Sequence, residues 1–108
     1  MKQTSVKGSL EAILLSVIDK NDSVYGLEIV REVAERTNGA VQLNAGSLYP
    51  ALHRLEKRGC LTVEMRTPPQ GGGPVGYYSV TDEGRRVLAE QRKELRTIHR
   101  HIEGLVYS

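Results

Sequence analysis

Basic and hydroxyl side chains recur on one side of the segment 44–59, NAGSLYPALHRLEKRG. Guanidinium and ammonium groups bind phosphate oxygens, and these groups can also hydrogen bond to the edges of nucleic-acid bases. At about 100° per residue, one helical face carries Ser47, Pro50, His53, Arg54, Lys57 and Arg58. The opposite face repeats leucine at positions 48, 52 and 55, which is typical of an amphipathic helix. The pattern therefore predicts a surface helix with either an anion-binding or a merely solvated outer face.

The ends of this helix can be predicted from capping residues. Asn44 can cap the start, and Gly59 stands where a helix ends in the left-handed conformation. Pro50 lies early in the segment, where a missing N–H does least harm.

The sequence gives less support for a redox switch or a metal site. Cys60 is a candidate redox switch, although free cysteines are commonly buried as small apolar residues. His99 and His101 are candidate metal ligands, but residues two apart on a helix point about 200° away from each other. We therefore predict neither a metal site nor a cofactor.

Enzymatic activity is not expected. The acid pairs Glu28 and Glu32, and Glu90 and Glu94, have the spacing of solvated helix faces. The glycines at 71–73 are followed by proline rather than by a helix start, so they do not form a phosphate-binding loop. No set of nucleophile, base and orienting group can be assembled.

Composition indicates one globular domain in a reducing compartment. The 108 residues are 39% hydrophobic and 26% charged, with a net charge of +2 and a single cysteine. The longest apolar run, residues 12–15, is too short to span a membrane, and the N-terminus lacks the apolar core of a signal peptide. We expect a cytoplasmic protein.

Two helices are predicted before the central segment. Residues 1–8 are polar and expected to be irregular. The first helix, 9–20, turns Leu10, Ile13, Leu14, Val17 and Ile18 inward. Leu15 lies off that face, as a surface leucine or as a residue that a second subunit covers.

Ser23 is predicted to cap the second helix, 24–37. Its inward residues are expected to be Leu27, Val30, Val33 and Ala34. Val41 and Leu43 alternate with polar residues and predict a very short strand before the central helix.

After Gly59 the period changes from 3.6 to 2. Leu61, Val63 and Met65 alternate with polar residues, as in a half-buried strand. The loop TPPQGGGPVG follows, and a second strand is predicted at 77–80. Together they predict a hairpin with a long tip.

The last predicted helix is about 24 residues long, or roughly 36 Å. Thr81 can cap it, with two acids in its first turn. A heptad pattern is formed by Leu88, Gln91, Leu95, Ile98, Ile102 and Leu105. The small core of residues 9–80 cannot cover all of it, so we expect the helix to dimerise.

Three helices, a β-hairpin and a long helix, in this order, predict a winged helix-turn-helix. In such folds the second helix of the pair enters the major groove of DNA with its N-terminal residues leading. Here that helix is the segment 44–59. Residues 44–66 contain four basic and two acidic side chains, so their local charge of +2 equals that of the whole chain.

Three segments resemble the conserved blocks of the PadR family of bacterial transcriptional regulators. They are YGLEI at 25–29, GSLYPALHRLEKRG at 46–59 and YYSVTDEG at 77–84. The resemblance extends over residues 9–105 and implies a winged helix with a C-terminal dimerisation helix. It also implies that Tyr25 and Tyr49 approach the DNA backbone and that Gly84 belongs to the start of the last helix.

The chain departs from this family at the wing, as the β-hairpin of such folds is called. Family members usually carry basic residues just before the paired tyrosines, whereas Val75 and Gly76 occupy these positions here. Arg66 is the one basic residue in the predicted wing. A strong contact between the wing and phosphate is therefore not expected.

We predict a mostly α fold with a small β-hairpin: a winged helix-turn-helix, 1–80, continuous with a dimerisation helix, 81–108. The expected function is a ligand-responsive repressor that binds a pseudo-palindromic DNA operator as a homodimer. A protein-contact module and a metal-responsive sensor are the alternatives. The expected DNA-binding residues are Tyr25, Ser47, Tyr49, Pro50, His53, Arg54, Lys57, Arg58 and Arg66. The expected dimer contacts are Leu15, Leu88, Leu95, Ile98, Ile102 and Leu105. The site of a small-molecule effector cannot be assigned.

Overall fold

The structure, a computed structural model, describes residues 6–108. The prediction of an irregular N-terminus lies outside the described residues for 1–5 and is wrong for 6–8, which already belong to a helix. The elements in chain order are α1 (Val6–Lys20), β1 (Val24–Tyr25), α2 (Gly26–Arg36), α3 (Ala45–Lys57), β2 (Leu61–Arg66), β3 (Val75–Val80) and α4 (Asp82–Val106). The predicted mostly α winged helix-turn-helix is confirmed.

Helix α1 lies at the centre of the molecule and packs against α2, α3, β3 and α4. Because neighbours surround it, its buried surface is wider than one amphipathic stripe. Leu14, Leu15 and Ile18 are all 0% exposed. The prediction that Leu15 lies at the surface or under a second subunit is therefore wrong, since the chain buries it in its own core.

Helix α2 begins two residues later than predicted. Val24 and Tyr25 pair with Tyr78 and Tyr77 of β3, so this part of the chain is a third strand rather than a first helical turn. Tyr25, not Ser23, is the N-cap, and its backbone N–H donates to the Glu28 carboxylate at 3.2 Å.

The buried face of α2 also differs from the prediction. Gly26, Ile29 and Val33 are buried, whereas Leu27 is 53% exposed. Apolar residues at 27 and 30 have the same spacing as residues 26 and 29, so periodicity alone could not choose between the two faces.

Helix α3 has the predicted ends. The Asn44 side chain accepts from the Ser47 N–H at 3.1 Å, and Gly59 has φ +79°, which favours glycine. Leu48, Leu52 and Leu55 are buried beside Ala51. The strand predicted at 41–43 is not formed, because this stretch pairs with none of the three strands of the sheet.

The sheet has the order β1-β3-β2 and is antiparallel throughout. In the wing, Leu61 pairs with Val80 at the base and Arg66 pairs with Val75 near the tip. Only Leu61 of the three alternating apolar residues is buried, while Met65 is 64% exposed. The outer half of the hairpin therefore extends beyond the core.

The start of α4 is fitted closely to the end of α3. The Thr81 side chain accepts from the Gly84 N–H at 3.0 Å and donates to the Gly59 carbonyl at 2.5 Å. A Cβ atom on Gly84 would lie well inside contact distance of the Cys60 carbonyl oxygen and 2.8 Å from Val80. Glycine at position 84 lets α4 begin directly against the backbone that follows α3.

We expect Gly84→Ala to lower the free energy of unfolding by about 3 kcal/mol, because the new methyl group must push α4 away from a backbone carbonyl. Gly104→Ala is the matched control in the same helix, since a Cβ there meets nothing within 4 Å. The control should raise stability by about 0.5 kcal/mol, because alanine favours helix more than glycine. Urea unfolding of both variants would check this, and equal effects would contradict the packing role of Gly84.

Candidate nucleic-acid interface

The leading end of α3 is exposed and almost free of charge. Asn44, Ala45 and Gly46 are exposed, Ser47 is partly exposed, and the Tyr49 side chain is about half exposed. These residues surround the N-terminus of the helix, where free backbone N–H groups and the helix dipole favour anions. This end can therefore approach phosphate closely without long side chains in the way.

Pro50 is exposed, as expected, but it lies beyond the first turn of α3. Its missing N–H removes the bond to the Gly46 carbonyl, so Pro50 does not stand at the least harmful position that was predicted. Because Gly46 is exposed, water can reach that carbonyl.

The four basic candidates of α3 fall into two groups. His53 and Lys57 are exposed on the outer face. Arg54 is only partly exposed, and its Nε is buried without a hydrogen-bond partner among the described residues. Arg58 turns back onto α1, where its Nη1 lies 3.1 Å from both carboxylate oxygens of Glu11.

These positions bear on the roles expected of the two arginines. Arg54 is less exposed than His53 and Lys57, and its Nε is shielded from solvent. Arg58 is not a free phosphate ligand, since Glu11 already neutralises it. Among these four residues, His53 and Lys57 are exposed and form no ion pair with another described residue.

The two tyrosines that the family resemblance places near DNA differ in exposure. Tyr49 lies over α2 at Gly26, where a Cβ would be 2.6 Å from the Tyr49 hydroxyl. Tyr25 is only 6% exposed, and its hydroxyl accepts a hydrogen bond from Gln70 in the wing tip. In this conformation only Tyr49 is presented at the surface.

The cation of the wing is engaged within the protein. The Arg66 guanidinium lies 4.4 Å from the centre of the Tyr77 ring and donates to the Ser23 hydroxyl. Glu64 lies 3.5 Å from the Arg66 Nε. A cation held by an aromatic face and a carboxylate is a weaker phosphate ligand than a free one.

Packing explains the glycine at position 76. A Cβ there would lie 2.8 Å from the Val63 side chain on the neighbouring strand. A long basic residue at this position would displace Val63, so the departure from the family pattern agrees with the strand packing.

The predicted dimer contacts divide along α4. Leu88 is 1% exposed and belongs to the core of the chain, so its assignment to the dimer interface is wrong. Leu95 and Ile98 are partly exposed, and exposure increases to 52% at Ile102 and 82% at Leu105. We call these last four residues the apolar stripe of α4.

A groove of about 470 Å³ lies beside this stripe. It runs between α1, the end of α2 and the middle of α4, and Ile13, Val33, Val41 and Leu95 contribute apolar surface. Arg36 and Arg92 also line it. The groove therefore offers an apolar floor next to an apolar helix face.

The candidates for redox and metal chemistry, Cys60 and the histidines of α4, have ordinary structural roles or surroundings. Cys60 is 1% exposed, and burial raises the pKa of its thiol, so the reactive thiolate is disfavoured. His99 Nε2 lies 2.7 Å from the Glu103 carboxylate on the same helix. Within residues 6–108, no three His, Cys, Asp or Glu side chains are close enough together to hold a metal ion.

Sequence reasoning missed Glu11, a buried acid that accepts hydrogen bonds from Arg58 and Gln91. A signal was present, because Glu11 precedes Leu14, Leu15 and Ile18 by three, four and seven residues and therefore shares their helix face. An acid on a buried face requires a partner.

Comparisons with known proteins agree with this geometry. The Transcriptional regulator PadR-like family matches residues 14–90. An uncharacterized protein of Lysinibacillus sphaericus is 35% identical over 89 residues, which cover 82% of this chain and 80% of that protein. The transcriptional regulator Rv3488 of Mycobacterium tuberculosis is 32% identical over 84 residues, or 78% of this chain and 74% of the other.

Among solved structures, a transcriptional regulator from Clostridium thermocellum superposes with a TM-score of 0.83 at 25% identity. The superposition covers 94% of this chain and 96% of that one. In the described part of the chain, no helix has the length and apolar character needed to cross a membrane. The fold, the presented end of α3 and these matches together show that the chain belongs to the PadR family of transcriptional regulators, whose members are not enzymes.

Proposed function

We propose that this PadR-family regulator is a cytoplasmic homodimeric repressor that binds a pseudo-palindromic operator. Residues 1–80 bind DNA and residues 81–108 hold the two copies together. The observation that carries the proposal is the exposed, uncharged N-terminal end of α3, followed on the same outer face by His53 and Lys57. A helix presented in this way fits the major groove end-on.

Contacts to DNA come chiefly from α3. Ser47 and Tyr49 approach the backbone and the first bases, while His53 and Lys57 meet phosphates further along the groove. Arg54, whose Nε is buried, contributes through the part of its side chain that stays exposed. The wing contributes little charge, because Arg66 is held by Tyr77 and Glu64.

Dimerisation is supported by the distal half of α4. The helix has 25 residues, or about 37 Å, and the chain is elongated, with principal extents of 54 × 30 × 23 Å. The apolar stripe of α4 continues beyond the core to Leu105. The 470 Å³ groove of a second copy offers apolar surface for this end of the helix.

A reciprocal exchange of this kind closes a two-fold dimer, because each copy supplies one stripe and one groove. The two α3 helices then face the same side of DNA, about one helical turn apart. Repression follows because the bound dimer occupies DNA that the transcription machinery needs. An effector acts by changing the relative orientation of the two copies and thus the distance between the α3 helices.

Lys57→Gln tests the contact to phosphate. We expect weaker binding to operator and to random DNA alike, and a salt dependence whose slope is reduced by about 0.9 for each phosphate that is no longer neutralised. Lys93→Gln, the same change at an exposed position on α4, should leave both the affinity and the salt dependence unchanged. Fluorescence anisotropy at several salt concentrations measures the slopes. A weakening confined to the operator would instead assign Lys57 to base recognition.

The function itself is tested by titrating labelled DNA from upstream of the protein's own gene. We expect saturable binding that survives an excess of random competitor DNA, together with a footprint containing two related half-sites. Binding no tighter than to a shuffled duplex would favour the rival function, a winged helix used only for contacts between proteins.

A further inference from the structure

A buried carboxylate links α1, the end of α3 and α4. Glu11 of α1 is only 7% exposed. Both of its oxygens lie 3.1 Å from Nη1 of Arg58, the residue that caps the end of α3. Its Oε1 also accepts from the Gln91 amide of α4 at 3.3 Å. We call Glu11, Arg58 and Gln91 the α1–α3–α4 node.

Each partner in this node depends on Glu11. The side-chain oxygen of Gln91 is buried without a hydrogen-bond partner among the described residues, so its amide nitrogen supplies the hydrogen bond that orients the side chain. Separating Arg58 from Glu11 would leave a buried carboxylate without its cation, which is strongly destabilising. The pair therefore keeps Arg58 against α1. The Glu11 side chain is only 9% exposed, so water screens its pairing with the half-exposed Arg58 less than it screens the α4 pairs of Arg86, in which both members are exposed.

We infer that Glu11 is a positioning residue that fixes the end of α3 relative to α4. Helix α3 carries the DNA-binding face, and α4 carries the apolar stripe. In the dimer, the angle between these helices sets the distance between the two DNA-binding ends. This consequence for DNA rests on the proposed function, whereas the positioning itself is a property of the single chain.

The positioning can be measured without DNA and without a dimer. Spin labels on His53→Cys and His99→Cys, in a Cys60→Ala background, report the distance between α3 and α4 within one chain. Dilution with unlabelled protein keeps two labelled chains from meeting. Double electron–electron resonance then gives the distribution of this distance.

We expect Glu11→Gln, which keeps the shape and removes the charge, to broaden the distribution, and Glu11→Ala to broaden it about twofold. Glu90→Ala is the matched control, because it removes an exposed partner of Arg86 at 3.1 Å on α4. Its distribution should match that of the unmodified chain. Should Glu11→Ala fail to fold, Arg58→Met breaks the same pair from its exposed side. A distribution of unchanged width in the Glu11 variants, or equal broadening in the control, would overturn the inference.

The DNA consequence is tested separately with the footprinted operator and a duplex that contains one half-site. For Glu11→Gln we expect about tenfold weaker binding to the full operator, because binding must now order the loosened helices. Affinity for the half-site should not change. An equal loss on both duplexes would contradict control of spacing by Glu11. If the chain proves monomeric, the proposed dimer fails while the distance measurement still decides the role of Glu11.

Discussion

Changing Leu95 and Ile98 together to aspartate is expected to abolish the dimer and to lower operator affinity about a thousandfold. Both residues lie in the partly exposed part of the α4 stripe, next to the groove to which Leu95 itself contributes. In the proposed dimer the two carboxylates would be buried without partners, which is too costly to persist. A folded monomer would retain α3 but would contact only one half-site.

The matched control is Ala89→Asp with Thr97→Asp. Both positions are exposed on other faces of α4, and the change in charge is the same. Sedimentation and circular dichroism of the two double variants separate loss of the dimer from loss of the fold. If the Leu95→Asp, Ile98→Asp protein remained dimeric, the apolar stripe of α4 would not form the dimer interface.

Ala45→Glu should lower operator affinity about a hundredfold while slightly stabilising the protein. Ala45 is exposed and is the first residue of α3. A carboxylate at a helix N-terminus is favourable by about 0.3–1 kcal/mol. On DNA, the same charge would face phosphates, and opposed like charges cost several kcal/mol.

Stability and binding should therefore change in opposite directions, which a mutation that merely damages the fold cannot produce. Ala89→Glu is the control, because it places the same charge on exposed α4, away from the proposed DNA surface. Thermal unfolding and anisotropy give the two quantities. An Ala45→Glu protein with unaltered operator affinity would show that the N-terminal end of α3 does not face DNA.

Features determined by neighbouring residues could be predicted from the sequence. The ends of α3 and the start of α4 depend on side chains that cap the backbone three residues away, as Asn44 and Thr81 do. The hairpin follows from a change of period and a glycine-rich loop. These signals are local, so tertiary packing did not override them.

Features determined by distant packing could not be predicted. Leu15 lies off the main stripe of α1, but α1 is covered on several sides and buries it. Val24 and Tyr25 become a strand only because β3, more than fifty residues later, pairs with them. The partner of Arg58 is Glu11, 47 residues away. Each of these outcomes depends on which elements meet in space, and periodicity within one segment does not contain that information.

The central claim is that two copies of this chain bind one operator through their α3 helices. Sedimentation velocity of a fluorescently labelled operator duplex, titrated with protein, tests it most directly. We predict one complex whose mass exceeds that of the duplex by two 12.0 kDa chains, with a half-site duplex bound far more weakly. A saturated complex that contains a single chain, or equal affinity for operator and half-site, would contradict it.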